Sequence, residues 1–173
     1  MKIQRSLFNI YLPLAILALA GGCKTSEERQ RAREVSTIRL HLETSLSAND
    51  RSGTISVPRQ NPMHIRMERD AILDEGNLLN ATVVEELGGF AIQLKFDGHG
   101  SLVLNSATTA NRGKRLVVFS YFGTSRWLAA PRISGPIMNG VFTFTPDASR
   151  EEADRIVRGL NNVVKKLTSK FPY

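Results

Sequence analysis

One cysteine, Cys23, occurs in 173 residues. Internal disulfides are therefore excluded, and stability must come from packing. The three histidines, His41, His64 and His99, lie far apart and make no i, i+4 pair. With no further cysteine to join them, they supply no metal-ligand pattern. No apolar run reaches the roughly 20 residues that a membrane-spanning helix needs. The longest run, 7–20, is interrupted by Asn9 and Pro13. Aromatic residues make up 7% of the chain and form no stripe interleaved with basic residues, which disfavours nucleic acid. Acids are the scarcer charge, 16 against 23 Lys plus Arg, for a net +7. Loss of residues 1–22 would remove Lys2 and Arg5 and no acid, leaving +7 − 2 = +5. Such an excess is a solvated basic surface, with anionic lipid headgroups as its candidate partner.

Catalytic constellations are also lacking. Asp97, His99 and Ser101 fall within one short loop, whereas a hydrolytic triad needs groups converging from separate elements. Asp97 reads more simply as a helix cap or turn residue. Gly98-His99-Gly100 has neither the third glycine nor the βαβ setting of a nucleotide loop. Glu85-Glu86 and Glu151-Glu152 are adjacent pairs that point to different sides of their elements, so neither serves paired acid–base work. The chain is read as non-enzymatic, without cofactor or metal.

What is present begins at the N-terminus. Lys2 and Arg5 precede the apolar run, and Leu19-Ala20-Gly21-Gly22-Cys23 closes it. Charged region, apolar region and small residues in that order are the layout of a secretory signal. The segment around Cys23 resembles a bacterial lipobox, with Ala20 where the usual leucine stands and Leu19 one step before it. The resemblance implies a signal over 1–22 and acylation of Cys23, whose diacylglycerol and fatty acyl (palmitate-type) chains would anchor the protein. Lys24, rather than aspartate, follows the cysteine, which slightly favours the outer membrane. Residues 23–34 then read as the lipidated cysteine and a polar tether or short exposed helix.

The domain is expected over 35–173. Residues 37–43 alternate apolar and polar as a half-buried strand, which sets His41 on the polar phase. Short strands are expected near 54–57 and 63–67, interrupted by Pro58 and Pro62, and turn residues at 74–77. Residues 82–86 and 90–96 read as a hairpin across Leu87-Gly88-Gly89. A helix over 101–111, a central strand over 115–122, a turn at 123–125 and strands over 127–133 and 140–145 follow. The last helix carries a capping box, Ser149 with Glu152 reaching back, and an apolar stripe of Ala153, Ile156, Val157, Leu160, Val163, Val164 and Leu167. The sum is an α+β domain with a mixed or mostly antiparallel sheet and two main helices on one face.

Over 72–164 the order of features resembles the head subdomain of the first periplasmic region of SecD, a subunit of the bacterial SecDF export machinery. The similar stretches are Val83-Val84, Ala91 to Phe96 and Gly98 with its helix. Then come Asn111-Arg112-Gly113-Lys114-Arg115-Leu116, like the family's N-x-G-[KR]-[RK]-L, and Ala130-Pro131-Arg132-Ile133, like its A-P-x-I. Gly140 to Thr145 and Ser149 to Ala153, like its x-x-E-E-A helix start, complete the order. The resemblance implies a head-like module that engages emerging polypeptide. The transmembrane helices and intramembrane charges of a proton-driven pump are not in this sequence. Phe119, Tyr121, Phe122 and Trp127 gather around one turn; packing explains them, and Trp127 with Tyr121 is the candidate contact for an extended peptide adding to an open sheet edge. The expected function is a membrane-anchored, periplasm-facing binding module tied to export or envelope upkeep. A structural envelope lipoprotein with a fixed protein partner, or an enzyme whose site assembles only in three dimensions, are the alternatives.

Overall fold

The computed structural model describes residues 25–44, 52–57 and 63–170. The signal at 1–22, Cys23 and Lys24 lie outside the described residues, as do Pro58 and Pro62. The chain divides into two units, Met1–Arg31 and Ala32–Tyr173. Helix α1 (Ser26–Arg33) has no buried residue. Thr25 Oγ1 accepts from Glu28 N at 3.3 Å at its start, and Glu27 pairs with Arg31 at 3.8 Å one turn on.

The domain orders its elements as β1 (Thr37–Leu42), β2 (Ser52–Val57), β3 (Met63–Glu68), β4 (Leu73–Asp74), a 3-10 turn (Glu75–Asn77), β5 (Leu78–Glu86), β6 (Gly89–Phe96), α2 (Gly98–Ala110), β7 (Leu116–Phe122), β8 (Thr124–Ala129), β9 (Val141–Phe144) and α3 (Arg150–Lys170). Among the described residues every strand pairing is antiparallel. The pairings fall into three sheets: a four-stranded sheet β4-β1-β7-β8, the hairpin β2-β3, and a three-stranded sheet β5-β6-β9. The α+β expectation holds, with β7 central as its unbroken apolar run requires.

The main core joins both larger sheets to the two long helices. Ile38, Leu40 and Leu42 of β1, Val118 of β7 and Ile92 and Leu94 of β6 meet Leu104 of α2 and Ile156 and Leu160 of α3. Leu40, Leu94 and Leu160 are all 0% exposed. Each such side chain contributes about 1.5–3 kcal/mol by leaving water. Of the α3 stripe read from sequence, Ala153, Ile156, Val157, Leu160 and Val164 enter this core. Its Asn161 completes the outer edge of β5: Asn161 Oδ1 accepts from Ala81 N at 2.9 Å and Asn161 Nδ2 donates to Ala81 O at 2.9 Å.

A second, smaller core lies on the other face of the four-stranded sheet. Ile55 and Ile65 of the β2-β3 hairpin cover Val117, with Met67, Phe119 and Trp127 packed around them. The hairpin is tied to the end of β1 by a bridge between Glu43 and Met67. This cover corrects the reading of His41. The residue is on the polar phase of β1, yet it is 6% exposed, because the hairpin roofs that phase. Its Nδ1 lies 2.9 Å from Glu68 O, and its ring meets Phe119 edge-on at 5.8 Å.

Other details also differ from expectation, among them the start of β5, which lies at Leu78 rather than 82. Helix α2 starts at Gly98 because Asp97 caps it, its Oδ1 accepting from Gly100 N at 2.6 Å. Strand β8 runs from Thr124 to Ala129 rather than 127–133. Beyond it the chain pairs instead with the segment before β7, Ile133 N donating to Lys114 O at 2.8 Å. Only half of the capping box on α3 forms. Ser149 Oγ accepts from Glu152 N at 3.2 Å, while the Glu152 carboxylate takes Arg126 Nη2 of β8 at 2.9 Å.

Candidate functional site

Strand β7 reads Leu-Val-Val-Phe-Ser-Tyr-Phe, and a strand sends successive side chains to opposite faces. Leu116, Val118 and Phe122 therefore join the main core. Ser120 lies on that face too, its Oγ donating to Thr37 O at 2.9 Å. Val117, Phe119 and Tyr121 take the other face. The hairpin cluster includes Val117 and Phe119, and Tyr121, one step further, is 52% exposed.

The aromatic group seen in the sequence is thus divided by the pleat. Phe122 is packed inward, beneath the Arg155 guanidinium 4.8 Å from its ring centroid. Trp127 of β8 registers opposite Phe119 and is half-buried against the second cluster. Tyr121, opposite Ser125, is the aromatic that faces solvent.

Beside Tyr121 is a shallow groove of about 350 Å³, lined by Thr37, Arg39, Phe119, Tyr121 and Ser125. Strand pairing builds it: Thr37 stands opposite Tyr121 and Arg39 opposite Phe119. Thr37 and Arg39 were not singled out from sequence. Alternation placed them on the polar phase of β1, but the β1-β7 register that brings them to Tyr121 has no local signal.

Strand β8 forms one edge of the four-stranded sheet, with β7 as its one strand neighbour. Gly123, at φ +74°, reverses the chain between the two strands. The far end of the edge is covered. Leu128 O accepts from Asp147 N at 2.6 Å, and Arg126 Nη2 donates to Asp147 O at 2.7 Å. Thr124 and Ser125, nearer the turn, are exposed. The arrangement offers the open edge of β8 and, across the adjoining sheet face, one exposed aromatic on β7 and one cation, Arg39, on β1. That is equipment for holding an extended chain.

Away from this site, Arg150, hydrogen-bonded to the Glu85 carboxylate and paired also with Asp154, is held above its ordinary value. Among the described residues, no three His, Cys, Asp or Glu side chains gather to hold a metal ion. A second cavity of about 340 Å³ lies between the 3-10 turn, the start of β5 and α3. Its two carboxylates are already engaged. Glu75 Oε2 accepts from Ile38 N at 3.2 Å and Asp97 caps α2.

Among the described residues, no helix is long and apolar enough to cross a membrane. A search of curated proteins finds no match. Among the solved structures that resemble the domain are two of SecDF. One is of a membrane component SecDF that enhances protein export, at 17% identity and TM-score 0.57, with 82% of this chain and 70% of that one covered. The other is SecDF in a super-membrane-facing form, at 18% identity and TM-score 0.57, with 80% of this chain covered. The chain spans 21% of that second protein's length. Likeness at this level of identity shows a shared fold. The family itself is shown by sequence: the pattern of the SecDF P1 head subdomain matches residues 50–162, reaching further toward the N-terminus than the motifs at 72–164. The chain belongs to the SecDF P1 head subdomain family.

Proposed function

We propose that this protein is a lipid-anchored, periplasm-facing module that binds extended polypeptide during export or envelope upkeep, without catalysis. The supporting observation is the β8 edge, with exposed Thr124 and Ser125 beside the solvent-facing ring of Tyr121. A polypeptide leaving a translocon presents unpaired N–H and C=O groups, and an open strand edge pairs with them whatever the sequence. Tyr121 and the Thr37–Arg39 groove add contact to side chains. Family membership supports the link to export, since one SecDF of this fold enhances it. Acylated Cys23 supplies the attachment to the membrane that a SecDF makes with its own membrane part. The tether over 23–34 then carries the head.

Trp127 is the one tryptophan and sits across from Phe119 beneath this surface, so it serves as the reporter. Titration with a permanently unfolded polypeptide should shift its emission saturably. Tyr121→Ala should weaken binding about tenfold, the effect expected of an aromatic anchor. Absence of binding by sedimentation, or equal binding by the Tyr121→Ala variant, contradicts the reading.

A further inference from the structure

The outward face of α3 is a strongly basic surface that the peptide edge does not use. From Arg155 to Lys170 the helix carries Arg155, Arg158, Lys165, Lys166 and Lys170 and no acid. The two arginines are engaged. Arg158 Nε is 3.0 Å from Glu34 Oε2 and Arg155 Nε is 3.9 Å from Glu34 Oε1. The three lysines are exposed. With Glu34 matched by the two arginines, the exposed lysines are the charge left over on this stretch, and they complement an anionic bilayer, each one near the surface adding attraction.

The chain path bears on the same face. Asn162 Nδ2 donates to Glu34 O at 3.0 Å, so Glu34 is fixed at both its backbone and its carboxylate. With 3.6 residues per turn, Arg155, Arg158 and Asn162 share the outward side of α3 with Lys165 and Lys166, opposite the Ile156–Leu160–Val164 stripe. Glu34 therefore lies on the face that carries the lysines. Between Cys23 and Glu34 the chain has little reach. The eight residues of α1 span about 12 Å as a helix, and the few others add about 10 Å extended. A lipid on Cys23 would keep this helix face within roughly 20–25 Å of the bilayer, and the lysines lie about three turns or less from the pinned segment.

We infer that Lys165, Lys166 and Lys170 form a contact surface for anionic lipid headgroups, which docks the α3 side of the domain on the membrane. The reach argument rests on the anchored reading of Cys23; the charge argument does not. Lys166 stands about 21 Å along the helix from Glu152, the residue that pairs with β8. Lipid contact at the lysines is therefore centred about four turns from the residue that pairs with β8.

The test uses the full chain carrying Cys23→Ala, floated with vesicles of phosphatidylcholine alone or with about 30% phosphatidylglycerol. Any insertion of the apolar 7–20 run contributes to both vesicle types, so the preference between them reports the charged surface. Three lysines at about fivefold each predict a preference on the order of a hundredfold at low salt, lost near 0.5 M salt. The triple variant Lys165→Gln, Lys166→Gln, Lys170→Gln should abolish it while keeping the parent's thermal midpoint. A preference retained in the triple variant, or none in the parent, overturns the inference. Intact mass of the unmutated protein, measured separately, decides acylation. Unmodified Cys23 with lysine-dependent binding removes the anchor and keeps the surface. Acylated Cys23 with no lysine dependence does the reverse.

Discussion

Asn161 of α3 holds Ala81 of β5 by both of its backbone groups, the amide and the carbonyl each at 2.9 Å. The side-chain amide takes the place of a neighbouring strand. One edge of the three-stranded sheet is thereby closed, and α3 is fixed to it across 80 residues of sequence. Exposed edges are a hazard that proteins blunt. Here β5 is blunted by a helix, while β8 stays open near its turn.

Asn161→Ala leaves both Ala81 groups without a partner in a place where Ala81 is 1% exposed. The expected loss is about 2–3 kcal/mol, or roughly 5–10 °C in Tm. Thermal and urea unfolding measure it. A fall of under about 1 °C would show that water replaces the amide freely.

Ser36 and Gly159 form a second close contact. A Cβ on Gly159 would lie 2.3 Å from Ser36 Oγ and 2.7 Å from Ser36 N. Gly159→Ala should therefore destabilise by about 1–3 kcal/mol through overpacking. Ser36 Oγ is buried without a hydrogen-bond partner. Ser36→Ala should be neutral or stabilising by up to about 1 kcal/mol, since it removes an unsatisfied hydroxyl. Urea midpoints of the two variants should move in opposite directions or leave Ser36→Ala at the parent value.

Gly140 combines a φ of +65° with a packing limit, since its Cβ would fall 1.9 Å from Ser101 Oγ of α2. Gly140→Ala should cost about 2–4 kcal/mol from strain and overlap together. Adding Ser101→Gly removes the overlap and leaves the φ strain, so the pair should recover part of the loss. A double-mutant cycle on stability reads that coupling; strict additivity would show that the contact does not matter.

The anchor has its own prediction. The native protein should have the intact mass of Cys23 to Tyr173 plus a diacylglycerol or triacyl group, and should fractionate with membranes. Cys23→Ala should lose the added mass, and at high salt, where the lysine contact is screened, it should lose the acyl-dependent membrane association. An unmodified, soluble product from the parent gene would remove the anchor.

Local patterns were legible where local physics decides. The α3 stripe and the Ser149 cap needed only spacing, and the β5-β6 turn needed only Gly88, whose φ is +88°. Relations between distant segments were not. His41 alternates like a surface residue, and nothing near it announces the hairpin that buries it. Glu152 looks like the second half of a capping box, but Arg126 competes for its carboxylate and wins with a 2.9 Å ion pair. Asn161 reads as an ordinary polar helix residue until β5 is beside it. In the candidate site, the aromatics at 119, 121, 122 and 127 were visible as a group. The pleat of β7 decides which one faces solvent, and the β1-β7 register supplies Thr37 and Arg39.

Backbone amide exchange along β8, with and without a saturating unfolded polypeptide, tests the central claim most directly. The account predicts new protection in the Thr124–Ser125 segment, at the amide that points away from β7, little change at Leu128, where the edge is already covered by Asp147, and no change on β5. Protection confined to other elements, or none anywhere at saturation, would contradict it.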